Sequence, residues 1–283
     1  MSDFRIDPDD VRERVQDLPK LPQAVEEIAC ALVDENLRLD DFAHKIAIDP
    51  AIVARILRAA NSPFYGMSGS IDNVHDAVRL IGLRTIATLL TAASVLRATA
   101  PLKCEGFDFQ CFWEHSLATA ICAQEVAHAA GQSQSVAFTA GLVHDIGKLV
   151  LATYYPQECG AAMRLTVARD CEMHDAEVAS LGIGHAEVGG WIAQHWNFAE
   201  SVCEAIRHHH GPPEGAGLQV SAVDVVHAAD GIVHALDLVR DKAETVPRLQ
   251  LSSWERLHLD AVRFEDLARR TEDGYAAICH ALM

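Results

Sequence analysis

The chain has 283 residues, 50% of them hydrophobic, with 22% charged residues and a formal net charge of −17. That length and apolar content support a sizeable buried core and exclude a disordered scaffold. The acidic balance disfavours general binding to nucleic acid or anionic membranes, and the eight cysteines, scattered without a Cys-x-x-Cys pair, exclude a disulfide framework and point to reduced thiols in the cytoplasm.

Apolar residues recur with helical period throughout, and strand alternation is absent, so the expected fold class is all-α. The start, Met1-Ser2-Asp3-Phe4-Arg5, offers no apolar signal core. A helix is expected over 22–35, opened by Pro22 and carrying Glu26 and Glu27 where the helix dipole favours acids. A second is expected from Leu39 to Ile48. Asp49-Pro50 then supplies a cap and a first-turn proline for a helix with Ile52, Val53, Ile56 and Leu57 on one face, ending near Asn61-Ser62-Pro63. Phe64 to Asp72 is rich in Gly and Ser and reads as a loop. Helices follow over 74–81 and 83–98, parted by Gly82. The most apolar window, Thr85 to Leu96, lies between Arg84 and Arg97 and is too short to cross a bilayer, so no membrane partner is expected.

Pro101 and Gly106 mark a hinge over 100–107. It divides an N-terminal helical part (1–103) from a helical core (104–240), with a polar tail (241–283) behind. The core is expected to hold helices over 109–130, 134–153, 157–169, 173–180, 185–196, 199–210 and 219–240. The last helix, over 264–282, is polar enough to pair with a second copy of the chain. No internal repeat is evident.

The chemistry concentrates in the core. His144-Asp145-Ile146-Gly147-Lys148 falls within the 134–153 helix. An imidazole and a carboxylate from neighbouring positions reach one cation, the second carboxylate oxygen can bridge to another, and Lys148 follows three residues later on the same face. Alone, such a dipeptide need do no more than hydrogen bond. Its company changes the reading. His115 stands in a helix, His185 opens one, His208-His209-His210 closes one before Gly211-Pro212-Pro213, and Asp230 sits inside an apolar helix, where an unpartnered carboxylate is costly. Imidazole and carboxylate donors without thiolates suit two divalent transition-metal ions, iron or manganese first, with nickel, cobalt or zinc as alternatives, better than calcium or magnesium. His44, His75, His128, His174, His195, His234, His258 and His280 have no such company and read as surface or core histidines. His227, three residues before Asp230, reads as a partner behind a ligand.

The order His, His-Asp, His, His-His, Asp resembles the HD metallophosphohydrolase pattern, and the flanking sequence is similar to that of HDOD domains. The marks are Leu18-Pro19-Lys20-Leu21-Pro22, Asp49-Pro50-Ala51, Ala60-Asn61-Ser62, Ala77-Val78-Arg79-Leu80-Ile81-Gly82, the 141–148 segment, Gly184-His185-Ala186-Glu187-Val188-Gly189 and Ile206-Arg207-His208-His209-His210-Gly211-Pro212. The resemblance covers residues 15–240. It implies an N-terminal helical bundle packed against an HD-type helical core. It assigns His115, His144, Asp145 and Asp230 to one metal, and Asp145, as bridge, with His185, His209 and His210 to the other. The Ile-x-x-His-His register selects His209 and His210, and a one-residue slip would select His208 and His209. The dinuclear phosphodiesterase branch carries Gly-Tyr-Pro after its His pair, where this chain reads Gly211-Pro212-Pro213-Glu214-Gly215. Some of its members place Glu one turn before the first His, where this chain has Cys111. Both departures count against cyclic dinucleotide hydrolysis and leave the metal ligands intact.

Two functions remain open on this reading. One is a regulatory module working with a signalling protein, such as a kinase, cyclase or regulator. The other is a metal-dependent phosphohydrolase or phosphodiesterase acting on a phosphorylated small molecule, a nucleotide or cyclic dinucleotide, with Asp145 and Lys148 as catalytic residues: metals would activate water, and the ammonium would stabilise charge on phosphate oxygens. No basic stripe marks a nucleic-acid partner.

Overall fold

The computed structural model describes residues 4–18, 57, 60–61, 71–81, 104–213, 215, 217–239 and 247–282. Every regular element among them is an α-helix. The expected helices over 22–35, 39–48 and 83–98, most of the helix begun at Asp49-Pro50, and with them the N-terminal bundle, lie outside the described residues. Asn61 does end its helix as expected: its side chain donates to the carbonyls of Leu57 and Ile71 and accepts from the Ile71 amide.

The first helix, α1 (Pro8–Gln16), was not anticipated. Asp7 caps it by accepting from the Asp9 amide, and Pro8 fills the first turn. A second helix, α2 (Val74–Ile81), matches its expected span. The core follows as α3 (Phe109–Ala129), α4 (Gln134–Val143), α5 (Ile146–Tyr154), α6 (Pro156–Arg169), α7 (Met173–Leu181), α8 (His185–His195), α9 (Glu200–Arg207) and α10 (Ala222–Ala235). Behind it come α11 (Leu251–Leu257), also unanticipated, and α12 (Ala261–Leu282).

Local chemistry sets these boundaries. Asp108 caps α3 by accepting from the amides of Gln110 and Cys111. A capping box formed by Ser221 and Asp224 opens α10, and Asp224 also takes Ser253 and Arg256 from α11, tying the tail to the core. The break after α7 uses Gly182 at φ +82°, in the left-handed region.

Among the described residues, several apolar clusters hold the bundle, two of them large. One gathers Val11 and Val15 of α1 with Val143, Leu149, Leu151, Val188, Ile192 and Ile206. The other packs Cys122 and Val126 of α3 against Val225, Ile232, Leu257 and Leu267. The tail helix α12 lies along α3, with Arg270 reaching Glu125 at 2.7 Å, so one of its faces is occupied within the chain. Gln134–Tyr154 has the length and hydropathy of a membrane span, yet 83% of its most apolar window is buried in this core. Cys104, Cys122, Cys159, Cys171 and Cys203 are free thiols.

Candidate metal centre

The centre is built where five helix ends and faces meet. The expected continuous helix over 134–153 is two helices, α4 and α5, with His144 and Asp145 in the turn between them. The physical reason is directional: neighbouring side chains on one helix diverge by about 100°, and the turn lets both point inward. Close helix approach then brings the other donors in. A Cβ at Gly141 would meet the Ala120 Cα and the Thr119 carbonyl oxygen at 2.9 Å, so glycine lets α4 approach α3, which carries His115. A Cβ at Gly147 would meet the His185 carbonyl oxygen at 2.0 Å, so glycine lets α5 touch the start of α8.

All seven histidine and aspartate residues expected at the site converge. On one side His115 Nε2 lies 3.3 Å from His144 Nε2, 3.0 Å from Asp230 Oδ1 and 3.9 Å from Asp145 Oδ2. His144 Nε2 is 3.4 Å from Asp145 Oδ2. On the other side His185 Nε2 lies 3.2 Å from Asp145 Oδ1, 3.3 Å from His209 Nε2 and 2.8 Å from His210 Nε2. Asp145 therefore stands between two groups, one oxygen toward each. His208 sits apart, 3.6 Å from Glu204, while His209 and His210 face the cluster. Lys148 is also present, but its Nζ is bonded to Asp145 Oδ2 at 2.6 Å rather than free to meet a ligand.

The rings are held by their far nitrogens. His144 Nδ1 bonds the Gly141 carbonyl at 2.7 Å, His209 Nδ1 the Ile206 carbonyl at 2.8 Å, and His185 Nδ1 the Glu177 carboxylate at 2.6 Å. With Nδ1 donating, each Nε2 of a neutral ring presents a lone pair to the middle. His227 supports the same arrangement from behind, bonding the His209 carbonyl through Nδ1 and accepting the Gln250 amide at Nε2. Asp145 Oδ1 and Asp230 Oδ1 are buried and accept no well-aligned hydrogen bond, although imidazole nitrogens crowd both. Lone pairs converging at these distances repel unless a positive charge sits among them, so the donor set fits divalent cations.

Electrostatics agree for three of the rings, His144, His209 and His210. Burial lowers His144, and it holds His209 and His210 well below the usual imidazole range, keeping the rings neutral. Burial opposes the charge on Asp145, but His144 and Lys148 overcome it and hold the carboxyl well below its ordinary value. Asp230 is held down in the same way, with His234 and His115 outweighing burial. Burial disfavours charged His185 as well, yet Glu177 and Asp145 prevail and lift it to about 9.

Three residues at the site were not anticipated. His234 Nε2 lies 3.3 Å from Asp230 Oδ1. His174 stacks on His210 with ring centroids 4.4 Å apart. Glu177, fully buried, accepts from both the amide and Nδ1 of His185. The signals were present but faint: His234 falls one turn after Asp230, and Glu177 is an acid on a helix whose neighbours Ala176 and Leu181 are buried. A cleft of about 160 Å³ opens onto the cluster, with Phe107, Phe112, Met163 and Met173 in its wall and His115, Asp145, Lys148, His210, Asp230 and His234 at its floor.

Comparison with known proteins follows the same lines. A protein of Treponema pallidum (strain Nichols), itself uncharacterized, is 28% identical over 244 residues, 86% of this chain and 47% of that protein. The chain thus spans about half the length of this curated relative. Among solved structures, a protein of Shewanella amazonensis SB2B provisionally named a phosphohydrolase is 27% identical, with a TM-score of 0.73 over 96% of this chain and 98% of that one. An HDOD domain protein of unknown function from Geobacter sulfurreducens shares the fold at 24% identity, with a TM-score of 0.79 over 96% of each chain. The family model for the HDOD domain matches residues 18–212, a stretch that takes in the turn at 144–145, the start of α8 and the His209–His210 pair but stops short of Asp230, and on that extent the chain belongs to the HDOD domain family.

Proposed function

We propose that the chain is a regulatory HDOD module of bacterial signal transduction whose helical core is cross-linked by two divalent transition-metal ions, iron or manganese in preference to nickel, cobalt or zinc. His115, His144, Asp145 and Asp230 hold one ion, and Asp145, His185, His209 and His210 hold the other. The observation that carries this reading is Asp145, whose two oxygens face the two imidazole groups separately. Bound there, the ions would supply strong positive charge and bonds between helices remote in sequence. The chain's own residues do the rest: the Gly141 and Ile206 carbonyls and Glu177 fix the rings, and Lys148 balances the shared carboxylate.

Regulation is favoured over turnover by the cleft itself. Its volume, about 160 Å³, is below the roughly 300–1,000 Å³ of pockets for drug-sized ligands. Among the described residues no arginine lines it, and Lys148, which does, is bonded to Asp145. The partner under this reading is a cytoplasmic signalling protein, such as a kinase, cyclase or regulator. A metal-dependent phosphohydrolase acting on a phosphorylated small molecule is the second reading, favoured by one observation: the cleft reaches Asp145 and Lys148 directly.

Metal analysis of the purified chain tests the first reading. Two ions per chain are expected, and Asp145→Ala should lose both, because the bridge serves each. Retention of one ion by that variant would show that the carboxylate is not shared. Assay with bis-p-nitrophenyl phosphate and added manganese or iron separates the readings: turnover that vanishes in Asp145→Ala would establish the phosphohydrolase.

A further inference from the structure

We propose that His234 is a fifth protein donor to the ion held by His115, His144, Asp145 and Asp230, occupying a position that a substrate would otherwise take. The inference rests on the two-ion reading above and narrows what the site can do.

His234 lies four residues after Asp230 on α10, so the two side chains share a face of that helix. Its Nε2 is 3.3 Å from Asp230 Oδ1, and its ring centroid is 4.7 Å from that of His115. One donor atom each from His115, Asp230 and His234 fall within 4.8 Å of one another. For metal–ligand bonds of roughly 2.1 Å, adjacent donors lie roughly 3.0–3.4 Å apart and opposite donors roughly 4.2 Å apart. The 3.3 Å spacing between His234 and Asp230 is thus the edge of a shared coordination shell, like the 3.0 Å between His115 and Asp230 and the 3.4 Å between His144 and Asp145. His234 also lines the cleft, and its side chain is 15% exposed, so it stands beside the path by which a ligand would reach that ion.

The chemical consequence concerns open positions. Four donors leave two of six octahedral sites on the ion, enough for a bridging water and one substrate oxygen. A fifth donor leaves one. The His115-side ion then cannot hold both water and phosphate at once, which favours a structural or sensing role for that ion.

The test uses the full chain, stripped of metal and titrated with Co(II), with cobalt X-ray absorption to count histidine nitrogens. The wild type should take two equivalents. His234→Ala and His234→Gln should weaken one of the two equivalents by roughly 10- to 100-fold and, at full occupancy, lower the averaged shell by about half a histidine nitrogen per cobalt, one ligand shared over two ions, while the other equivalent binds as before. His128→Ala, which removes an exposed histidine elsewhere on α3, should change nothing. The Gln variant keeps a polar side chain of similar reach, so the measurement survives if Ala disturbs folding. Both His234 variants binding two equivalents with wild-type affinity would overturn the inference, and so would weaker binding with an unchanged nitrogen count, which would make His234 a positioning residue. A wild type that takes up no cobalt at all would overturn the two-ion reading itself, a result distinct from either.

Discussion

At the scale of single residues, Glu177 shows how a centre of this kind is aimed. Its side chain is fully buried, and one oxygen accepts both the His185 amide, at 2.7 Å, and Nδ1, at 2.6 Å. That pair of hydrogen bonds fixes ring orientation and tautomer together, leaving Nε2 to face Asp145. Glu177→Gln preserves shape but replaces a charged acceptor with a neutral one. Metal titration of this variant should show the His185-side ion weakened roughly 10- to 100-fold, with the His115-side ion unchanged. Equal weakening of both, or of neither, would mean that Glu177 does not act through His185. The seven converging histidines and aspartates were legible in the sequence because these residues are conspicuous inside apolar helices. Glu177, His174 and His234 were not, because an acid or imidazole on a half-buried helix has many uses and only the folded arrangement selects one.

At the scale of helices, the decisive feature is the turn at His144–Asp145. Residues 134–154 are apolar almost throughout, and Gly141 and Gly147 are compatible with a helix, so periodicity alone suggested one continuous element. The break is set by tertiary contact: α4 must lie against α3 while α5 meets α8. The 2.0 Å approach that a Gly147 Cβ would make to the His185 carbonyl oxygen involves backbone, which cannot rotate away. Gly147→Ala should therefore force α5 from α8, destabilise the chain by about 1–3 kcal/mol, and lower its capacity for the His185-side ion. Urea unfolding and metal content measure the two effects, and a variant of wild-type stability would show that the contact is looser than drawn. The helix α1 was missed although Asp7-Pro8 carries the same start signal recognised at Asp49-Pro50. The seven-residue α11 was beyond periodicity altogether, since it packs through Ser253 and Arg256 on the distant Asp224.

At the scale of the whole molecule, ions at this centre would join α3, α8, α10 and the turn between α4 and α5 far more firmly than their apolar faces alone. Free ion at a thousand times its dissociation constant adds about 4 kcal/mol to stability. For a domain of this size each kcal/mol moves the melting temperature by about 2–4 °C. Chelation should thus lower Tm by roughly 8–16 °C in differential scanning calorimetry, manganese should restore it, and Asp145→Ala should respond to neither treatment. An unchanged Tm after verified metal removal would deny the ions a structural role. The all-helical class and the meeting of distant ligands were both readable from sequence, because composition fixes the first and rare polar residues betray the second. One further link reaches beyond the part matched by the family. The strap ahead of that part donates from Ile6 to the Leu181 carbonyl, lays Arg12 over the Trp191 ring and bonds Asp10 to Tyr155. Leu181 ends the helix that carries Glu177, and Trp191 belongs to the helix that His185 begins, so tension applied at the extreme amino end would travel one turn to the carboxylate that steers an imidazole. The opening dozen residues have a lever arm on the innermost chemistry of the molecule.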